Sequence, residues 1–229
     1  MSHNPALDKT IFELIPNNTA SILDLGCGYG NLALQLRIQK EYTGTIDGLD
    51  IHEPWVTQLE KHNLYDNVFL GDVRDLDDIP LEKYDLVVCM ETIEHVSRSE
   101  GIDVIKTLQE RARDLIISTP CTTYKNIDVK HRGDTHFTGN LTMKHKSGYT
   151  PSDFSGFDVN LITVHYVPRY FLPLYHLRAR LIGGSVVTQN IVASRFLDNG
   201  STLALLETIK PSSGFEARDI QTEYLIQKE

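Results

Sequence analysis

Cysteine is scarce in this chain of 229 residues: there are three, Cys27, Cys89 and Cys121. So sparse and odd a set makes neither a disulfide framework nor a paired-cysteine metal motif, and it points to a reducing compartment, the cytoplasm. Long apolar runs are missing too. None reaches the roughly 20 residues that a membrane-spanning helix needs, and residues 1–9 lack the basic-then-apolar order of a secretory leader. Positive charge is in short supply: 22 Lys and Arg stand against 31 Asp and Glu, a net charge of −9. A broad nucleic-acid surface is therefore not expected, because phosphate contacts need clustered cations. With 15 Gly, 9 Pro and 41% apolar residues, collagen-like and disordered classes fall away as well.

What charge there is lies unevenly. Residues 121–197 hold nine basic and four acidic side chains, net +5, which leaves −14 for the rest of the chain. A mildly positive face on an acidic body suits an anionic small molecule or an anionic surface.

Hydrophobic spacing predicts helices at 5–15, 31–39, 53–62 and 99–111; Leu7, Ile11, Leu14 and Ile15 make one stripe in the first. Short apolar runs predict strands at 21–25, 45–49, 67–70, 84–90 and 115–118. The run Leu86-Val87-Val88-Cys89 suits a strand buried on both faces, as in a parallel sheet. Such alternation gives an α/β fold, a Rossmann-like doubly wound sheet with helices on both faces. The pattern changes after Pro120. Residues 121–148 are polar, Thr150-Pro151 opens a short helix, 157–167 alternates as a strand, and 168–197 mixes aromatic, aliphatic and arginine side chains. Residues 202–209 and 222–227 are further strand candidates. The chain reads as a single domain, 1–229, with a ligand-binding core at 20–120 and substrate-side insertions after the fifth strand, at 121–155 and 168–200. The second insertion suits a lid, a homodimer surface, a peripheral contact with anionic lipid, or a plain core helix.

The strongest local signal is Leu23-Asp24-Leu25-Gly26-Cys27-Gly28-Tyr29-Gly30, set between a strand and a helix. Glycines there let the chain turn sharply and let a ligand lie against the backbone. Asp50 ends the second strand, where nucleotide folds place an acid for the ribose hydroxyls. Asp72 ends the third, followed by Val73. Asp24 would repel a pyrophosphate and suits a ligand bearing an ammonium group. No Gly-Lys-Ser/Thr follows the glycines, which speaks against an ATP grip.

Together with Ile46 to Ile51, Gly71-Asp72-Val73, Tyr84 to Met90, Met90-Glu91-Thr92-Ile93-Glu94-His95-Val96 and Leu115 to Pro120, this segment resembles the class I S-adenosylmethionine-dependent methyltransferases. The resemblance spans about residues 20–120. It implies that the loop with Gly26, Cys27, Gly28 and Gly30 holds the aminocarboxypropyl part of the cofactor, with Asp24 by its ammonium. Asp50 and Ile51 would meet the ribose, Asp72 and Val73 the adenine, and Met90 and Glu91 would complete the set. It also implies a mostly parallel sheet joined late by antiparallel strands, the first at 157–167 and the second at 222–227, with 202–209 as rival.

The reading that follows is methyl transfer from S-adenosylmethionine to an oxygen or nitrogen of a small metabolite, sugar-bearing or anionic. A hydroxyl acceptor is helped by a base, for which His95 comes first and His145 second. The segment from His145 to Phe157 resembles one that closes the acceptor pocket in small-molecule members of the class, which makes Tyr149 a pocket wall; His136 is a further substrate contact. No metal is expected. Two alternatives stay open. The Glu91-x-x-Glu94-His95 spacing is similar to that of metal-dependent small-RNA 2′-O-methyltransferases, with His136 or His145 as a further ligand. A non-catalytic, cofactor-binding partner subunit is the other. A nicotinamide reading would leave Asp24 and Glu94-His95 unexplained.

Overall fold

Short apolar runs become strands and the amphipathic segments between them become helices. The computed structural model describes residues 5–121, 144–166, 186–195 and 218–225. Helix α1 (Pro5–Leu14), strand β1 (Ser21–Leu25), helix α2 (Asn31–Gln39), strand β2 (Thr45–Asp50), helix α3 (Glu53–Leu59) and strand β3 (Asn67–Leu70) come first. Strand β4 (Leu86–Met90), helix α4 (Arg98–Arg111) and strand β5 (Asp114–Pro120) follow, then β6 (Asp158–Tyr166), β7 (Val186–Arg195) and β8 (Arg218–Leu225). Among the described residues these strands form one sheet in the order β3-β2-β1-β4-β5-β7-β6-β8.

β1 pairs in parallel with β2 and with β4, β2 with β3, and β4 with β5. From β1 the chain winds outward to β3, then returns to lay β4 on the other side of β1. Winding reverses there, and the C-terminal ends of β1 and β4 border the crevice where open α/β sheets take their ligands. β7 runs antiparallel between β5 and β6, and β8 lies parallel on the outer edge of β6.

The period of two along each strand splits the core. Leu23, Leu25, Val87, Cys89, Leu115 and Ile117 pack on one face with Val104, Ile105 and Leu108 of α4. Ile22, Ile46, Leu86, Val88 and Ile116 pack on the other with Leu7 and Ile11 of α1 and Leu32 and Leu36 of α2. Apolar residues at both parities explain the unbroken hydrophobic runs of the sequence. Helix α4 is started by a capping box: Ser97 Oγ accepts from the Glu100 N–H, and the Glu100 carboxylate accepts from the Ser97 N–H.

The alternating first half follows the sequence expectation closely, and so does the strand expected at 157–167. The second late strand does not. The antiparallel strand is β7, inside the stretch assigned to the 168–200 insertion, where Val186, Val187, Thr188, Ile191 and Val192 supply the β-branched content that a strand favours. The segment expected to be antiparallel, 222–227, instead overlaps β8, which is parallel to β6. Residues 202–209 lie outside the described residues. Among the described residues no helix is long and apolar enough to cross a membrane.

Helix α4 carries Gly101 where another element comes very close: a Cβ there would fall 1.8 Å from the Tyr149 hydroxyl. Gly101→Ala gains about 1 kcal/mol of helix propensity and loses more to overpacking, about 1–3 kcal/mol. The expected result is a lowered melting temperature by calorimetry. Adding Tyr149→Phe to Gly101→Ala should cost less than the sum of the two single changes.

Candidate active site

The crevice begins with the turn after β1. Gly26, Gly28 and Gly30 have φ of 76°, 56° and 81°, in the left-handed region that glycine enters without penalty. At Gly26 space is a second constraint, since a Cβ would lie 2.2 Å from Thr92 Oγ1. Thr92 Oγ1 is within hydrogen-bond reach of Leu25 O at 3.2 Å and Met90 O at 2.8 Å, so the turn after β4 is stitched to the end of β1.

Asp50 locks this turn to β2. One carboxylate oxygen accepts from the Gly28 N–H at 2.8 Å and the other from the His52 N–H at 2.8 Å. Its side chain is 6% exposed. Burial raises its carboxyl above the ordinary range, and these N–H bonds oppose that rise.

Asp24 is 3% exposed and accepts a hydrogen bond from the Tyr65 hydroxyl at 2.7 Å. Burial pushes its carboxyl up to about 7; the Tyr65 bond works against the rise and the Asp50 charge adds to it. Burial, helped by the Asp24 and Asp50 charges, also pushes the Cys27 thiol far up, so Cys27 stays a protonated packing residue. At the end of β3, Asp72 is held by Arg74, whose Nε lies 3.0 Å from both carboxylate oxygens and which also reaches Glu100 at 2.8 Å. Hydrogen bonds from Arg74 hold the Asp72 carboxyl below the usual range. Of the two apolar residues expected to flank a nucleoside, Ile51 is 47% exposed and Val73 is packed in the core.

Beyond β4 the chain turns sharply at Glu91, which has φ 48°. A non-glycine residue there carries strain of order 1–3 kcal/mol, a feature that collects at functional sites. It is held by Ser118: Glu91 N–H donates to Ser118 O at 2.9 Å, and Ser118 Oγ donates to Glu91 Oε1 at 3.1 Å. A short 3-10 turn, Ile93–His95, then aims Glu94 inward.

Glu94 is 1% exposed. Its Oε2 accepts from Thr119 Oγ1 at 3.1 Å; its Oε1 has no hydrogen-bond partner and lies 4.0 Å from His145 Nε2. The rings of His95 and His145 meet edge to face with centroids 4.9 Å apart. Glu94, His95 and His145 each bring one oxygen or nitrogen into a group whose atoms lie within 4.8 Å of one another. The backbone builds this meeting, since Glu94 O accepts from the N–H of Lys146 at 2.7 Å and of Ser147 at 3.1 Å. Burial raises the Glu94 carboxyl well above its ordinary value, the Glu91 charge adding to it, and burial lowers the His95 imidazole.

The two base candidates of the sequence, His95 and His145, thus lie side by side. Tyr149 has a different place from the expected pocket wall. It is 0% exposed, and its hydroxyl donates to Ile93 O at 3.1 Å and sits 3.1 Å from Ser147 Oγ, which pins the His145 loop from below. Residues His136 and 122–143 around it lie outside the described residues. Of the four ligands that the RNA alternative would need, Glu94, His95 and His145 converge, while Glu91 is not part of the group. Sequence reasoning missed Tyr65, Thr119, Ser118 and Arg74. Only the Ser118-Thr119 pair, polar residues closing an apolar strand, left a visible signal.

Clefts among the described residues include two beside the strand ends. One of about 540 Å³ is lined by Tyr29, Leu34, Trp55 and Leu59 on the outer side of the glycine turn, and one of about 340 Å³ by Val73, Arg74 and Glu100 next to Asp72. Neither includes His95 or His145.

Strand order, glycine turn and strand-end acids together define the fold of the class I methyltransferases. Residues 22–115 match the methyltransferase domain family. A ubiquinone biosynthesis O-methyltransferase of Hydrogenovibrio crunogenus is 37% identical over 89 residues, covering 37% of this chain and 35% of that protein. The chain spans about a third of the length of the curated relatives it matches. Among solved structures, a SAM-dependent methyltransferase from Archaeoglobus fulgidus matches with a TM-score of 0.56 at 18% identity, covering 83% of this chain and 94% of that one. Magnesium protoporphyrin IX methyltransferase from Synechocystis, with bound SAH, matches with a TM-score of 0.54 at 20% identity, over 84% and 83% of the two chains.

Removing the Tyr65 hydroxyl tests the electrostatics of the buried acid. Tyr65→Phe leaves Asp24 without its donor, which costs about 1–3 kcal/mol when the carboxylate is charged. Asp24 has its carboxyl raised on folding, so its ionisation weighs against the native state as pH rises toward 7. Denaturant unfolding should therefore show a larger loss for Tyr65→Phe at pH 8 than at pH 5; equal losses would contradict a buried, titrating Asp24.

Proposed function

We propose that this chain binds S-adenosylmethionine across the ends of β1, β2 and β3 and transfers its methyl group to an oxygen of a small molecule. The methyl donor is already activated as a sulfonium. The protein has to align the acceptor with methyl and sulfur, keep water out, and relieve the acceptor of its proton. The observation that carries the reading is the juxtaposition of two groups of residues. A glycine turn is clamped by Asp50, and the Glu94–His95–His145 group is stitched next to it through Thr92.

In this reading Gly26, Cys27, Gly28 and Gly30 follow the aminocarboxypropyl chain, and the Asp24 charge beneath them attracts the ammonium. Asp50 and Ile51 meet the ribose, Asp72 the adenine amine, and Met90 and Glu91 border the sulfur. The acceptor proton is drawn off at His95 and His145, with Tyr149 fixing the loop that carries His145. The relatives named as small-molecule methyltransferases support an oxygen of a metabolite as acceptor. The net charge of −9 is unfavourable for RNA. Residues 20–120 form the cofactor half of one domain, and the described residues 144–155 border its acceptor side. Three scattered, buried cysteines suit the cytoplasm.

Two measurements test this. Incubation with methyl-labelled donor and a metabolite extract should label a small-molecule product, and His95→Ala with His145→Ala should abolish the labelling while donor binding persists. Label appearing only in RNA would contradict the reading. The second measurement uses Asp24. A bound ammonium favours the charged carboxylate, so binding releases a proton wherever Asp24 is protonated in the free protein, below about 7. Calorimetry should show donor affinity rising about tenfold per pH unit up to that point and levelling above it. Asp24→Asn should weaken binding and flatten the profile.

A further inference from the structure

We propose that Arg74 is a specificity-determining latch at the nucleoside end of the crevice: its guanidinium occupies the acceptor oxygens of Asp72, and a base enters by displacing it with an amino group. The proposal rests on the methyl-transfer reading above, which puts the base at the end of β3. A carboxylate offers about four lone-pair positions, and Arg74 engages both oxygens. Oδ1 accepts from the Arg74 backbone N–H at 2.9 Å, the Nε hydrogen is shared between Oδ1 and Oδ2 at 3.0 Å each, and Nη2 donates to Oδ2. An amino group arriving at Asp72 therefore competes with the guanidinium for the same electron pairs. The backbone N–H bond sits on Oδ1 and can persist, so Oδ2 is the oxygen that the base takes over.

Release of the side chain is inexpensive, and it has a place to go. Arg74 is 43% exposed and Glu100 40%, and ion pairs in contact with water contribute little and are screened by salt. The other arm of Arg74, Nη1, already reaches Glu100 Oε1 at 2.8 Å. Glu100 itself is fixed, since its Oε2 accepts from the Ser97 N–H in the capping box that starts α4. The cleft of about 340 Å³ beside Asp72 is lined by Arg74 and by four acids, Asp75, Asp77, Glu100 and Asp103. Asp77 and Asp103 lie 3.7 Å from Arg111 and 3.8 Å from Lys106, beyond hydrogen-bond reach. A guanidinium that lets go of Asp72 thus keeps Glu100 and turns into an acidic cleft, which gives the side chain two positions.

The two positions present opposite chemistry to a base. With the latch closed, the end of β3 shows guanidinium donors and suits a carbonyl. With it open, Asp72 shows an acceptor and suits an amine. Hydrogen bonds from Arg74 hold the Asp72 carboxyl below its usual range, so the opened acceptor is a charged one, which forms the stronger bond with an N–H donor. Arg74 accordingly lowers the affinity for an amino base and softens the rejection of a keto base.

The test uses the full chain and two ligands, S-adenosylhomocysteine and its deaminated inosine analogue. Each is titrated by calorimetry into wild type, Arg74→Met and Arg74→Lys, at low salt and at about 1 M salt, where charges are screened within about 3 Å. At low salt Arg74→Met should bind the adenosine ligand about fivefold more tightly than wild type. Wild type should gain a similar factor as salt is raised, while Arg74→Met stays flat. Arg74→Lys, which keeps the charge without the fork, should fall between them. The ratio of adenosine to inosine affinity should also widen in Arg74→Met; a merely structural role would move both ligands together. Melting curves report that each variant is folded, and the salt series on wild type carries the test by itself where one is not. Equal or weaker adenosine binding by folded Arg74→Met, an unchanged ratio, or wild-type affinity that falls with salt overturns the latch and leaves the methyl-transfer reading standing. No uptake of either ligand by any of the three proteins removes that reading, and the latch with it.

Discussion

Carboxylates removed from water need compensation, and at the C-terminal edge of this sheet three of them are buried side by side in a chain of net charge −9. Each is compensated differently. Asp50 accepts two backbone N–H groups, and in doing so fixes the glycine turn. Asp24 accepts one phenol hydroxyl and is left with its carboxyl near 7, poised between charged and neutral. Glu94 has one oxygen bonded to Thr119 and one bare. Asp50 is thus fully bonded, Asp24 sits near neutrality and Glu94 keeps one oxygen unsatisfied, a spread of compensation that collects at functional sites.

The same constraint organises the loops. Gly26 has no side chain because Thr92 occupies the place of its Cβ, and Thr92 carries the turn that delivers Glu94 and His95. Gly101 has none because the Tyr149 hydroxyl needs the room, and Tyr149 braces the loop that delivers His145. Two close approaches, one on each side of Ile93–His95, therefore fix where Glu94, His95 and His145 stand.

How much of this could be read in advance depends on the range of the interaction. Strand and helix periodicity is local, so β1 to β5 were legible in their apolar runs, and Asp24, Asp50 and Asp72 were legible as strand-end acids. The glycine turn and the Glu94-His95 pair are contiguous in sequence and carried the family resemblance. Strand β7 was obscured because its β-branched residues follow a stretch dominated by aromatics and arginines, and composition over that window hid a short strand. The burial of Tyr149 could not be read at all, since it depends on a glycine 48 positions earlier. Tyr65 likewise meets Asp24 across 41 positions, and no spacing rule reaches that far. His145 was anticipated by resemblance, but its distance from Glu94 is a fact of tertiary structure.

The most direct measurement is a crystal structure of the chain with the demethylated cofactor. The account predicts the ribose on Asp50, the amino-acid end along Gly26 to Gly30, and the sulfur turned toward His95 and His145. A nucleotide bound elsewhere, or a sulfur turned away from those two histidines, would contradict it.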